Sequence, residues 1–332
     1  MKKAIVTGGC GFIGSSIAKK LVEDGWVVDI VDDLSSGRLE LVQELSPRVI
    51  PADLLLQFYE NNPTRKDTDI HVIQGDFSHE NVLANIMRKE YTHVFHQAAI
   101  PRVLFSVENP SYTTDVNISG TVRLFEACKG NVERVVYASS SSVYGGSENL
   151  PTPETETKDP KSPYAWQKSA TEDIAKIFSN LYNMDIVCLR YFNVFGPGQY
   201  GDSAYSTAIS AWCHSLVNGL PMRSDGDGTQ SRDLCYIDNV VHANILAATS
   251  LKKFKADSYN IACGDRTSNN EILTYFKDKF PQAVARDAPW RQGDVMHTCA
   301  DISKAKKDLG YEPLVRVWEG LERTIAWWGL DS

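Results

Sequence analysis

The chain has 332 residues, 42% of them hydrophobic and 23% charged, which is enough to bury the core of one large domain or two ordinary ones. Its net charge of −8, from 42 Asp and Glu against 34 Lys and Arg, gives no broad basic face for nucleic acid, and no stretch nears the roughly 18 apolar residues of a membrane span. The 7 cysteines include no C-x-x-C pair, so neither a disulfide framework nor a zinc set is expected; with an opening apolar run too short for a signal peptide, the expected setting is reducing and cytoplasmic.

In chain order, KAIVT at 3–7 reads as a short buried strand, and the segment from Gly14 to Glu23 has helical spacing. VVDIVD at 27–32 reads as a second strand. Residues 38–68 interrupt the rhythm, with a helix expected at RLELVQEL and a polar loop at NNPTRKDTD. HVIQGD at 71–76, THVFHQAA at 92–99, RVVYASSS at 134–141 and DIVCLRYFN at 185–193 supply four more strands, most of them separated by helical stretches. After Phe195 the texture changes: GPGQYGDS is loop-like, 203–218 looks helical, and SDGDGTQSRD at 224–233 is a glycine-rich turn. CYIDNVVHANILAAT at 235–249 looks like a return to the sheet, and 268–332 alternates helix and loop. Apolar strands alternating with helices predict an α/β fold, a Rossmann-like doubly wound parallel sheet with a smaller C-terminal α/β region. The expected division is 1–195, with 234–262 returning to it, and a second region of 196–233 and 263–332.

Thr7-Gly8-Gly9-Cys10-Gly11-Phe12-Ile13-Gly14 joins the first strand to the first helix. Gly8 permits the tight turn, Gly11 lets the backbone approach a pyrophosphate at the helix N-terminus, and Gly14 allows close helix–sheet packing. Asp32 ends the second strand, where a carboxylate accepts hydrogen bonds from an adenosine ribose and repels a 2′-phosphate. The expected cofactor is therefore NAD rather than NADP, with Arg38 nearby as a counter-signal. Phe12 and Ile13 at the helix start, and Asp33, Leu34, Ser35, Ser36 and Gly37 after Asp32, are expected to line the same cofactor.

Tyr164 and Lys168 lie four residues apart at the start of a helical stretch, hence on one face. An ammonium near a phenol stabilises phenolate and is expected to lower the tyrosine pKa, and the positive ring of NAD adds to this. Such a pair suits proton abstraction from a hydroxyl while hydride leaves the same carbon. The run Ser139-Ser140-Ser141-Ser142-Val143-Tyr144-Gly145 sits at the C-terminal end of a strand, where ligands bind in open α/β sheets. His93 and His96 point to opposite faces of a strand, so a shared metal is not expected.

With these motifs in order, nearly the whole chain resembles the extended short-chain dehydrogenase/reductase family. The resemblance implies a Ser140-Tyr164-Lys168 catalytic set, cofactor contacts from Asp76 and Phe77 and from Gln97, Ala98 and Ala99, and Tyr191 beside the nicotinamide. The C-terminal half is most similar to UDP-sugar 4-epimerases, in Arg190-Tyr191-Phe192-Asn193-Val194-Phe195-Gly196-Pro197, Ser231-Arg232-Asp233 and Arg291-Gln292-Gly293-Asp294. That similarity implies a UDP-sugar substrate, with Asn193, Arg232 and Arg291 at the diphosphate, Asp294 at a ribose hydroxyl, and Ser140, Ser141, Ser142, Tyr205 and Thr207 as further substrate contacts. It also implies a homodimer built on helices near 112–128 and 164–182.

Thr298 stands where family members confined to glucose and galactose carry a tyrosine, and a small residue there leaves room for an acetamido group. The implied activity is NAD-dependent interconversion of UDP-GlcNAc and UDP-GalNAc, and of UDP-Glc and UDP-Gal. The alternatives are a dehydratase or decarboxylase of the same family, or a non-catalytic dinucleotide-binding protein. Dehydratases resembling this family place an Asp-Glu pair after the catalytic Ser/Thr, where this chain has Ser141 and Ser142. Ile100-Pro101-Arg102-Val103-Leu104-Phe105 and the stretch 38–68 depart from the family pattern.

Overall fold

The computed structural model describes residues 2–62, 69–202, 207–290 and 295–330. The elements run β1 (Lys3–Thr7), α1 (Phe12–Glu23), β2 (Val27–Asp32), β3 (Arg48–Pro51), α2 (Leu55–Asn61), β4 (His71–Gln74), α3 (Glu80–Met87), β5 (His93–His96), α4 (Val103–Glu108), α5 (Pro110–Thr114), a π-helical turn (Asp115–Gly120) and α6 (Thr121–Cys128). Then come β6 (Arg134–Ser140), α7 (Pro163–Tyr182), β7 (Ile186–Tyr191), β8 (Val194–Phe195), α8 (Ala208–Val217), β9 (Met222–Asp225), β10 (Ser231–Arg232), β11 (Cys235–Tyr236), α9 (Ile237–Thr249), β12 (Asp257–Ile261), β13 (Thr267–Ser268), α10 (Asn269–Lys279), β14 (Ala285–Ala288), α11 (Ser303–Leu309) and α12 (Val317–Trp327).

Eight strands form one sheet in the order β12-β7-β6-β5-β1-β2-β4-β3, with parallel pairing in every pair from β6 through β3. The strand order reverses at β1, which lies between β2 and β5. The carboxyl ends of strands at such a reversal are where open α/β sheets bind ligands. Strands buried on both faces have no polar side to show: β2 and β7 are buried along their whole length, and helices flank the sheet. The core runs from Ile5, Val31, Ile73 and Val94 through Val135 and Ile186 to Leu124, Phe125 and Ala175 on the helices.

The chain divides into two compact units, Met1–Ser140 with Pro163–Arg190 and Ala243–Tyr259, and Ser141–Ser162 with Tyr191–His242 and Asn260–Ser332. The second unit takes 141–162, which the sequence reading left in the first region. It is built on three two-stranded ladders, β8–β11, β9–β14 and β10–β13. Asp233 is its internal tie: fully buried, its carboxylate accepts hydrogen bonds from the backbone N–H of Cys263, Gly264 and Ala300 at 2.9–3.0 Å. Asp233 thereby joins two segments, 263–264 and Ala300, that sequence order keeps far from it and from each other.

The stretch 38–62 differs from expectation. RLELVQEL is not one helix but two short 3-10 turns, Leu39–Leu41 and Gln43–Leu45. Ser46 is left-handed at φ 48° and Pro47 follows, so the run has no room to close a stable helix. The chain then adds edge strand β3 and helix α2, which four-residue and seven-residue patterns did not reveal. Tyr59 of α2 donates a hydrogen bond to the buried Asp29 carboxylate, which also meets His71 and Tyr91, so the segment is docked on the sheet by polar contacts. The expected loop 61–69 falls largely outside the described residues, as does the start of the helix expected at 203.

At the start of β6, Arg134 is buried and donates through Nε and Nη2 to Asp185 Oδ2 at 2.8 and 2.6 Å, while Nη1 and Nη2 also reach the carbonyls of Ala247, Ser250 and Lys252. Removing one partner of a buried pair strands the other charge. Asp185→Ala is expected to lower unfolding free energy by about 3–5 kcal/mol in a denaturant titration, the scale for a broken buried pair, while turnover per folded molecule stays unchanged.

Candidate functional site

The turn after β1 is held by its glycines. Gly8 is left-handed at φ 67°, and a Cβ there would sit 2.8 Å from the Ala98 backbone. A Cβ on Gly14 would lie 2.1 Å from the Gly8 carbonyl oxygen, so its bare backbone lets the first turn of α1 pack on the preceding turn rather than on the sheet expected from the sequence. Gly11 is the N-cap of α1 and brings no side-chain cap, which leaves first-turn N–H groups for an anion. These features fit the pyrophosphate of a dinucleotide. Phe12 and Ile13 open the helix, half-buried.

Asp32 does more than the sequence suggested. Its carboxylate accepts the backbone N–H of Cys10 and of Leu34, both at 2.9 Å, and so ties the glycine turn to the loop after β2. Burial pushes its pKa up and these hydrogen bonds pull it back. A Cβ on Gly37 would lie 2.5 Å from that carboxylate. Leu34 is left-handed at φ 59° and the Arg38 N–H donates to Cys10 O, so 33–38 folds back toward the glycine turn. Asp33, Ser35 and Ser36 are exposed on it.

Asp76 is exposed and accepts the Ser78 N–H. The Phe77 ring is instead buried against His96, so it is core packing and leaves only its backbone to line a cofactor. Gln97 N–H donates to Thr7 O, and Ala98 N–H to Thr7 Oγ1; Ala99 follows, half-buried. His96 bridges Thr7 and Thr121, and burial pushes its pKa down to about 3. His93 meets the Ala248 carbonyl and is pushed down to about 4 by burial. Both rings are neutral and partnered within the protein.

The two expected catalytic residues Tyr164 and Lys168 lie on α7, and Ser140 ends β6. Tyr164, Lys168 and Glu172 occupy successive turns of one buried face. Ser106 Oγ accepts the Tyr164 backbone N–H at 3.1 Å, and Gln167 meets Asn117, which also bonds both backbone groups of Ile100. The segment after β5 is thereby locked to α7. Ser140 Oγ hydrogen-bonds the Tyr164 hydroxyl. Lys168 Nζ donates to Ala138 O at 2.7 Å and lies 4.8 Å from the Tyr137 ring centroid and 5.9 Å from that of Tyr164.

The electrostatics correct one expectation. Burial pushes the Tyr164 phenol up to about 12, with the Ser140 hydrogen bond opposing, whereas the sequence reading had Lys168 pulling it down. The lysine is itself desolvated to about 7, with Glu172 and Cys188 opposing that fall, and its proton is spent on a carbonyl rather than the phenol.

In the second unit, Asn193 Nδ2 donates to Thr298 Oγ1 at 3.0 Å and lies 3.4 Å from Asp233 O, and Thr298 Oγ1 also accepts the Asp233 N–H. Arg232 Nη1 donates to the carbonyls of Ser231 and Met296. Tyr191 is buried at the end of β7. Ser141 and Ser142 are half-buried in a 3-10 turn, and Thr207 is exposed at the start of α8. Tyr205, Arg291 and Asp294 lie outside the described residues. The sequence pattern does not single out Ser106, Asn117, Gln167 or Glu172, of which only Glu172 leaves a signal, the four-residue spacing from Lys168; Asp233 falls in the Ser231-Arg232-Asp233 motif, but its role as a buried tie is visible only in the structure.

A glycine turn at the reversal of a parallel sheet, with half-buried Ser140 against buried Tyr164 and Lys168 in the same unit, defines a dinucleotide-binding enzyme. The family model described as "NAD dependent epimerase/dehydratase family" matches residues 4–262, and the chain belongs to that family; its cofactor is NAD. It is 33% identical over 327 residues to a protein named putative UDP-glucose 4-epimerase from Methanocaldococcus jannaschii, covering 97% of each chain. It is also 33% identical over 327 residues to a UDP-glucuronate 4-epimerase from Thermodesulfobacterium geofontis, covering 97% of this chain and 95% of that one. Among solved structures, a UDP-N-acetylglucosamine 4-epimerase from Methanobrevibacter ruminantium in complex with UDP-N-acetylmuramic acid superposes with a TM-score of 0.85 at 36% identity, over 98% of this chain and 97% of that one. Among the described residues no helix is long and apolar enough to cross a membrane, and all seven cysteines are buried and free.

Lys168 binds fewer protons folded than unfolded between about 7 and its ordinary 10.5, so its contribution to stability rises with pH across that window and its desolvation is felt most below about 7. Lys168→Met is expected to stabilise the fold more below that window than above it, as read by thermal unfolding at both ends.

Proposed function

We propose that this chain is an NAD-dependent UDP-sugar 4-epimerase that interconverts UDP-GlcNAc with UDP-GalNAc and UDP-Glc with UDP-Gal. The observation that carries the reading is the hydrogen bond of half-buried Ser140 to the buried Tyr164 hydroxyl, with buried Lys168 one turn further along the same helix face as Tyr164. Bound NAD would supply a hydride acceptor for C4 of the sugar and a positive ring near the phenol. Tyr164 takes the C4 hydroxyl proton and later returns it, Ser140 holds the same oxygen, and Lys168 adds positive charge on the side of the developing phenolate. A 4-keto sugar that turns over in the site presents its other face, so the hydride that the reduced cofactor would give back reaches C4 from the opposite side and inverts it, while Tyr164 returns the proton to the C4 oxygen.

In this reading the first unit holds NAD through Gly8, Gly11, Gly14 and the Asp32–Gly37 loop, and the second binds the nucleotide through Asn193 and Arg232, with Arg291 and Asp294. Ser141 and Ser142, in place of an Asp-Glu pair, favour epimerisation over dehydration. The identity to a UDP-glucuronate 4-epimerase makes the uronate the second substrate to test. The exposed Trp166, Ile177 and Leu181 of α7 and Tyr112 of α5 form the surface proposed to pair with a second copy, with sedimentation as the check.

Tyr164→Phe is expected to keep the fold and slow epimerisation by at least about a hundredfold, the scale of a general base; normal turnover ends the assignment. For the sugar, NMR at C4 across UDP-glucose, UDP-galactose, UDP-GlcNAc, UDP-GalNAc and UDP-glucuronate is the measurement. Thr298→Tyr is expected to lose activity on the N-acetyl pair selectively. Thr298→Val removes the acceptor for Asn193 without adding bulk, and is expected to weaken both pairs alike. Equal effects of Thr298→Tyr on both pairs, or a wild type inert toward UDP-GlcNAc, overturn the substrate reading.

A further inference from the structure

Behind the catalytic face, in the first unit, lies a buried group of side chains that the reaction as drawn does not use. Glu172 Oε1 accepts Ser139 Oγ at 2.6 Å and Arg190 Nε at 2.8 Å, and Glu172 Oε2 accepts Arg190 Nη2 at 2.7 Å. Glu172 and Arg190 are 4% and 5% exposed. One carboxylate therefore ties α7 to the ends of β6 and β7. The attachment points are adjacent to the chemistry: Ser139 precedes Ser140, and Ala138, one residue earlier, carries the carbonyl that holds Lys168. Glu172 itself is one turn beyond Lys168 and two beyond Tyr164.

We propose that Glu172 is a positioning residue, which through Ser139 and Arg190 sets Ser140 and Lys168 against Tyr164 and provides the counter-charge for a buried lysine. The inference rests on the reading that Tyr164 and Lys168 carry the reaction. The charge argument follows from the groups that surround Lys168. On α7 these are Tyr164 and Glu172, on β6 Tyr137, on β7 Cys188, and on β5 His96, which is neutral; Arg190 of β7 stands one step further out, paired with Glu172. Glu172 is the carboxylate among them. Without it, two cations would share a buried region, and a guanidinium does not give up its proton, so the lysine must. A positive nicotinamide ring sharpens the demand. Loss of the ammonium removes a side-chain charge placed to favour phenolate, and burial then holds Tyr164 in its neutral form.

The test is Glu172→Gln, which keeps shape and can still accept from Ser139. The readouts are the pH profile of turnover and the phenolate absorbance of NAD-loaded enzyme, with Tyr164→Phe subtracted so that only Tyr164 is seen. The expected result is a Tyr164 titration and an acidic limb of kcat both moved upward by about one pH unit or more, hence about tenfold slower turnover on that limb, with KM for the sugar little changed. Ser139→Ala, which leaves the ion pair intact, is expected to lower kcat without moving the limb. Glu172→Asp, which keeps the charge on a shorter arm, is expected to restore the limb but not the full rate. If Glu172→Gln folds, holds NAD and shows an unmoved Tyr164 titration, the proposal is wrong. Should Glu172→Gln not fold, a Glu172→Asp limb displaced from wild type would equally overturn it. A wild type whose turnover is untouched by Tyr164→Phe would instead sink the functional reading beneath it.

Discussion

The structure depends on the C-terminal end of β1. Thr7 accepts Gln97 N–H on its carbonyl and Ala98 N–H on its hydroxyl, and its hydroxyl also meets the neutral His96; the next residue, Gly8, donates to Val31 O. That one dipeptide therefore joins β1 to both of its neighbours at the place where the strand order reverses. The Gly14 backbone then presses to within a Cβ's reach of Gly8, which fixes where α1 begins and which way its N–H groups point. No side chain larger than hydrogen fits that approach, so the cofactor cradle is a steric consequence of how the central strand ends.

From that end the constraint spreads through hydrogen bonds rather than apolar contacts. Asp32 grips the glycine turn from β2. Asn117, in a π-helical turn, grips the segment after β5 and passes the constraint through Gln167 to the helix that carries Tyr164 and Lys168. Buried polar networks of this kind are costly when half-made and specifying when complete. They fix Tyr164 and Lys168 on a rigid element, α7.

The buried ions fall at opposite ends of the sheet and serve different ends. Arg134 and Asp185 sit at the amino end of β6 and just before β7, with the guanidinium also donating to four backbone carbonyls, and their effect is on stability. Glu172 and Arg190 sit at the carboxyl ends of the same strands, beside a desolvated lysine and a desolvated phenol. The same ion-pair chemistry holds the scaffold at one end and bears on proton affinity at the other.

Much of this was legible in the amino-acid sequence, because it is written in local pattern. The apolar runs gave the strands of the first half, the glycine spacing marked the first βα turn, and the four-residue interval put Tyr164 and Lys168 on one face. Where local pattern was short or ambiguous the reading failed: RLELVQEL has helical composition, but Ser46 and Pro47 cut it into turns, and β3 is too brief to stand out. The direction of the Tyr164 shift was likewise out of reach, since it depends on how deeply tertiary packing removes the phenol from water and on the lysine's choice of Ala138 as acceptor. Long-range partners belong to the same class. That Asp233 would gather Cys263, Gly264 and Ala300, or that Glu172 would meet Arg190 and Ser139, follows only from strands and helices brought side by side. Sequence spacing sets which residues share a face; only the fold sets what that face is pressed against, and desolvation and pairing, which govern charge, are properties of that second surface.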